Sequence, residues 1–270
     1  MNSEIKKITE ELKESIVKIL ESGNYAKYLE CMTKFHTYSL NNILWIYAQM
    51  PTATLVTGYK KWNKEFDRHV RKGEHAIKIL APIFKKVRVE EDGEEKEETR
   101  LVNFKVVNVF DVSQTEGKEL PTAPCRCIDL EGNVDGYKEL FEKLEKASPV
   151  PIGFEDINDD SHGYFSLIDN RIAIKKGMSE QQTIKTMIHE IAHSILHNTK
   201  TGEEKEADRH TAEVQAESVA YTVCKYIGLD TSDYSFGYIT GWSKGKGAKE
   251  LIESMEAIRK TANTIIGACA

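Results

Sequence analysis

Residues 184–197 read "IKTMIHEIAHSILH", with histidines at 189, 193 and 197 and Glu190 directly after the first. His189, Glu190 and His193 make an H-E-x-x-H pattern, which has chemical meaning only on a helix. There, residues four apart share a face, so both imidazoles can meet one ion while the glutamate addresses the water beside it. The chain therefore needs a helix here and a second element to complete the site. His197 does not fit as a further ligand, because at 1.5 Å per residue it lies about 12 Å along the axis from His189. It is expected to pack, cap the helix or touch substrate.

The surrounding sequence supports that helix. "GYFSLIDNRIAIKK" reads as two short alternating strands turning at Asp169 and Asn170. In the "MSEQQ" that follows, Ser179 is the expected N-cap and Gln182 can complete a capping box. A second long helix is expected at 203–227, before Gly228. On it Glu213 and Glu217 are four apart and share a face. Two adjacent carboxylates repel unless something positive lies between them. We therefore assign Glu213 to the metal and Glu217 to the ring N–H of a ligating histidine. His210, one turn before Glu213, is the alternative ligand. The implied cofactor is Zn2+ with an open position, and Glu190 is the catalytic base. Tyr164, His210, Tyr221 and Tyr238 are all candidates for stabilising an oxyanion. An edge strand at 163–175 could receive an extended peptide.

Elsewhere the chain divides at 113–125, where two prolines, a glycine and small polar residues interrupt the pattern. The expectation is an α+β protein with domains at 1–120 and 121–270. The first would hold helices at 3–21, 24–33 and 39–50, then a β-hairpin around an acidic "DG" loop. The second would add helices at 134–147 and 246–266. Five cysteines imply no disulfide framework, and Cys125-x-Cys127 lacks partners for a zinc site. With no apolar run of membrane-spanning length and no signal-peptide pattern at the start, a cytoplasmic protein without membrane contact is expected.

Charge is uneven. The formal net charge is −6, yet residues 60–88 carry 10 Lys/Arg against 3 acids, and "EEDGEEKEE" at 90–98 offsets them. Aromatic residues are interleaved with those cations over 38–83, the mixture that single-stranded DNA binding needs. A small core with a solvated charged rim would give the same composition.

Two resemblances sharpen this reading. H-E-x-x-H followed twenty residues later by Glu213 resembles the glutamate-zincin peptidases of the thermolysin type, with Glu217 where that type has aspartate. "YSLNN", "YKKWNK", "VRKGEHAIKILAP", "VFDVSQTEGKELP", "HEIAHSILH", "EVQAESVAY" and "LDTSDYSFGYITGW" together are similar to the ArdC-type antirestriction proteins and the related LtrC-like proteins of conjugative elements. That resemblance implies a single-stranded-DNA-binding domain followed by a zincin-like metallopeptidase domain acting on a protein or peptide. Tyr38, Asn42, Trp62, Arg71, Lys72 and Lys78 are the candidate DNA contacts. The rival readings are a non-proteolytic restriction blocker with a structural or vestigial zinc site, and a regulatory metalloprotease that cuts a specific host protein.

Overall fold

The computed structural model describes residues 24–91, 94–120, 134–198, 208–231, 242 and 246–269. The helix expected at 3–21, Cys125, Cys127 and Tyr238 lie outside them. In chain order the elements are α1 (Tyr25–Lys34), α2 (Leu40–Gln49), β1 (Val56–Gly58), α3 (Tyr59–Glu65), β2 (Arg68–Val70), β3 (Ile77–Glu91), β4 (Glu94–Asp111) and β5 (Thr115–Gly117). They continue with α4 (Tyr137–Ala147), β6 (Ile152–Glu155), β7 (Gly163–Ser166), β8 (Arg171–Lys175), α5 (Glu180–Leu196), α6 (Arg209–Tyr226) and α7 (Ala248–Cys269). The described residues form two compact units, 41–120 and 24–40 together with 134–269. Among them no helix is long and apolar enough to cross a membrane.

In the second unit, β6, β8 and β7 form a mixed sheet with β8 in the centre. β7 and β8 make the expected hairpin, and β6 adds in parallel on the far edge of β8. Because β8 is covered on both sides, Ile172, Ala173 and Ile174 are all fully buried rather than alternating. Helix α5 packs on this sheet, α6 on α5, and α7 on α6. Ser179 caps α5 by accepting from the Gln182 N–H, while the Gln182 side chain turns to Thr186 Oγ1 instead of closing a capping box. α1 belongs to this unit although it precedes the first one in sequence. Its apolar face is buried, Tyr25 Oη lies 3.0 Å from Ser218 Oγ of α6, and Glu30 pairs with Lys225.

The first unit is built on the long β3–β4 hairpin, with β1 added on β4. Its core includes Ile43, Ile46, Val56, Trp62, Ile77, Ile79 and Val109. The outer edge of β3 is closed by a helix rather than a strand. Asn42 and Gln49, two turns apart on α2, each use a side-chain amide to accept one backbone N–H and donate to one backbone C=O, at Leu80 and at Lys78. That satisfies an edge that would otherwise recruit another strand. At the other end, Asp111 is fully buried and accepts four hydrogen bonds, from the N–H groups of Thr54, Leu55 and Ser113 and the Ser113 hydroxyl. Gln114 accepts from the Asp111 N–H and donates to the carbonyl of His75, joining the "VRKGEH" and "FDVSQ" segments.

Burial would push the Asp111 carboxyl up, but these donors hold it below the usual carboxylate range. A depressed folded value means the stabilisation is present above the unfolded pKa of about 3.9 and is lost as pH falls through the folded value. Asp111→Asn, which turns an amide N–H toward backbone N–H donors, is expected to cost about 2–4 kcal/mol. Urea unfolding of the first unit between neutral and acidic pH checks this. Wild-type stability should fall on acidification, and the variant should show less of that dependence.

Candidate metal centre

Helices α5 and α6 pack against each other along much of their length, with polar side chains facing across the contact. His189 and His193 on α5 turn their Nε2 atoms toward each other at 3.1 Å. Glu213 of α6 closes the triangle, with carboxylate oxygens 3.6 Å from His189 Nε2 and 3.7 Å from His193 Nε2. A tetrahedral ion with ligands at about 2.0–2.1 Å would hold them about 3.3 Å apart. The donor set fits a divalent metal, and among the described residues it is the cluster able to hold one. Glu217, one turn on, sits behind the triangle with Oε2 at 3.2 Å from His189 Nδ1.

The electrostatics agree with a site assembled around a cation. Burial alone would push the His189 imidazole down, yet Glu213 and Glu217 hold its protonated form up to about 10. The neighbouring His189 and His193 imidazoles keep Glu213 well below the usual carboxylate range. Glu190 is only 7% exposed, and burial pushes its carboxyl up against the opposing pull of the two histidines. It also accepts a backbone hydrogen bond from Phe165 of β7. An open cavity of about 350 Å³ lies against this group, lined by His162, Gly163, Lys185, Thr186, His189, Glu190 and Glu217. Gly163 is needed for the close approach of β7 to α5. A Cβ there would stand 2.7 Å from Thr186 Cγ2 and 2.8 Å from the Ala173 carbonyl oxygen.

The other candidates are placed apart from the triangle. His210 lies on the exposed start of α6 and is not in the ligand cluster. The Tyr164 hydroxyl donates to Glu155 and accepts from Arg171. Tyr221 is buried within α6. His197 is not in that cluster, and its Nδ1 lies 3.1 Å from His193 Nδ1. Burial pushes its pKa down. His162 and Lys185 on the cavity wall carried no sequence signal, because neither stands in a spacing tied to the motif.

Among the DNA candidates, Trp62 is fully buried and its Nε1 donates to the Phe110 carbonyl, so its ring is a core element rather than a stacking platform. Asn42 is spent on Leu80, and Arg71 bonds Glu74 and the Ser113 carbonyl. Tyr38 belongs to the second unit, where its carbonyl accepts from Arg259. Lys72 and Lys78 are exposed. The exposed aromatics of the first unit lie elsewhere, at Phe84 and Phe104 on the outer part of the β3–β4 hairpin and at Tyr59.

Glu213→Ala is expected to reduce retained divalent metal from about one ion per chain to near none, as a three-ligand site loses a third of its donors. Glu217→Ala removes only the partner of His189 Nδ1 and should weaken affinity about 10–100-fold while keeping the saturating stoichiometry. Elemental analysis and chelator competition check both. A Glu213→Ala protein with wild-type affinity would move the third ligand elsewhere.

Comparison with known proteins gives two family matches. Residues 2–110 match the N-terminal domain of the anti-restriction factor ArdC, and residues 147–227 match the IrrE N-terminal-like domain of the peptidase M78 type. An uncharacterized protein of Bacillus anthracis is 28% identical over 285 residues, covering 92% of this chain and 47% of its own. The chain thus spans about half the length of the curated relative it matches. The crystal structure of the Mn(II)-bound antirestriction protein ArdC from the R388 plasmid superposes with a TM-score of 0.60 at 18% identity, over 97% of each chain. Its metal-free form gives 0.52 at 21%, over 86% of this chain and 85% of that one. The first part of the chain thus matches an ArdC N-terminal domain, the second matches a metallopeptidase-like domain of the M78 kind, and the fold is like that of ArdC.

Proposed function

We propose that this chain is an antirestriction protein of a mobile element, binding single-stranded DNA through its first unit and cleaving a protein or peptide at a zinc-dependent site in its second. The observation that carries the reading is the triangle of His189, His193 and Glu213 beside a buried Glu190 at an open cavity. Two imidazoles and a carboxylate with an open position form a donor set typical of catalytic zinc. A zinc ion held there supplies Lewis acidity and makes water a nucleophile near neutral pH. Glu190 then takes the proton from the attacking water and returns it to the departing amine. Its carboxyl, buried beside the two histidines at the cavity, is placed for both transfers. The edge strand β7 begins at the cavity with Gly163, which favours a substrate lying extended along it.

For the DNA half, support comes from the outer β3–β4 hairpin. Phe84 faces Leu101 across the strands and Pro82 faces Phe104, so these four side chains share one face. Three of them are large apolar groups left exposed. Lys85, Lys86, Arg100 and Lys105 are exposed on the same ribbon, with Lys86 paired to Glu97 and Arg100 to Glu98. Aromatic rings that accept unpaired bases, flanked by cations that follow phosphates, suit single strands of any sequence.

Two experiments test the proposal. Glu190→Gln should retain zinc and lose hydrolysis of a casein or peptide-library substrate. Equal loss of host-restriction protection in that variant would tie the peptidase to the biological role, and intact protection would detach it. The wild-type chain should bind oligo-dT with an affinity that falls steeply with salt. Phe84→Ser combined with Phe104→Ser should weaken that binding at least about tenfold without changing the salt slope, since stacking is worth about 1–3 kcal/mol per base. Absent or salt-independent binding by the wild type would remove the DNA half.

A further inference from the structure

For an imidazole to offer Nε2 to a metal, its own proton has to sit on Nδ1, and the partner of Nδ1 decides whether it does. His189 meets this requirement through the Glu217 carboxylate, which can only accept. His193 has no such carboxylate. Its Nδ1 faces another histidine nitrogen, His197 Nδ1, at 3.1 Å. One proton lies between two chemically identical atoms, so this contact alone does not fix which ring owns it.

The far side of His197 biases the choice. Its Nε2 lies 2.9 Å from Oε1 of Gln215, and Gln215 Nε2 donates to Ser254 Oγ at 2.7 Å. An amide oxygen only accepts, so the His197 proton sits on Nε2 and its Nδ1 is a lone pair. His193 Nδ1 is then the donor, and its Nε2 lone pair points at His189 and Glu213. If the amide turned over, every polarity in the chain would reverse. His197 would donate from Nδ1, and His193 would carry its proton on Nε2, aimed into the metal position.

Resting on the metal-site reading above, we infer that Gln215, anchored by Ser254 and acting through His197, is a positioning residue that holds His193 in its metal-binding tautomer. α6 therefore acts on the site three times within five residues. Glu213 completes the ligand triangle, Gln215 sets the proton of one histidine and Glu217 that of the other.

The test compares Gln215→Leu, which cannot accept from His197, with Gln215→Glu, which can. In the full-length chain, Gln215→Leu is expected to lower Zn2+ affinity about 10–100-fold in chelator competition. Gln215→Glu should stay within about threefold of wild type, on the same estimate of what a retained partner preserves. Long-range proton–nitrogen NMR of the metal-free protein reads the relay without any ion. His197 should carry its proton on Nε2 in wild type and in Gln215→Glu, and become a mixture of tautomers in Gln215→Leu. A Gln215→Leu protein with wild-type affinity, equal losses in both variants, or a wild-type His197 protonated on Nδ1 would each overturn the inference. A wild type that binds no zinc yet shows the expected tautomers would sink the metal-site reading and leave the relay standing.

Discussion

The contact of α5 with α6 is the constraint on which the second unit depends. Much of each helix is buried, and their facing polar groups are only partly open to water. The two sets neutralise each other. Imidazoles at 189 and 193 face carboxylates at 213 and 217, and the opposite shifts of His189 and Glu213 express one shared stabilisation. Isolated charges in that setting would be costly. The functional centre and the packing of the unit are therefore the same structure, and the sheet beneath α5 serves both by bringing the edge strand to Glu190.

The first unit uses its distinctive residues differently. Asn42, Trp62, Arg71, Asp111 and Gln114 all lie in segments that a reader would single out as signatures, and all of them hold backbone in place. Asn42 replaces a missing strand partner, Trp62 fills the core while bonding a carbonyl, and Asp111 with Gln114 ties a turn to two distant loops. These side chains are distinctive because buried backbone groups need specific partners. The surface proposed for DNA is the plainer part of the sequence, a ribbon of Phe, Leu and Lys.

The candidate metal centre and the ribbon belong to separate compact units. An escort of single-stranded DNA and a hydrolase for protein need different surfaces, one cationic and aromatic, the other a cleft with a fixed proton acceptor. The metallopeptidase-like domain carries the cleft and the ArdC N-terminal domain carries the ribbon, which matches the division of labour proposed here.

Much of this was legible in the sequence. Helical spacing determined that His189 and His193 share a face and that His197 lies too far along for the same ion. The pairing of Glu213 with Glu217 pointed to the element that faces the two histidines, while β-branched and aromatic runs marked the first hairpin and alternating apolar residues the second. Periodicity is local, so it survives without the fold. Only the tertiary structure decided which exposed-looking residues were buried, as at Trp62 and Asn42, because composition cannot separate a core aromatic from a stacking one. It alone placed α1 in the second unit and set β6 beside β8. It also brought Gln215 to His197 across eighteen residues of sequence. Such contacts join positions with no fixed spacing, and their meaning rests on which atom donates, a property that exists only once the chains of hydrogen bonds have closed.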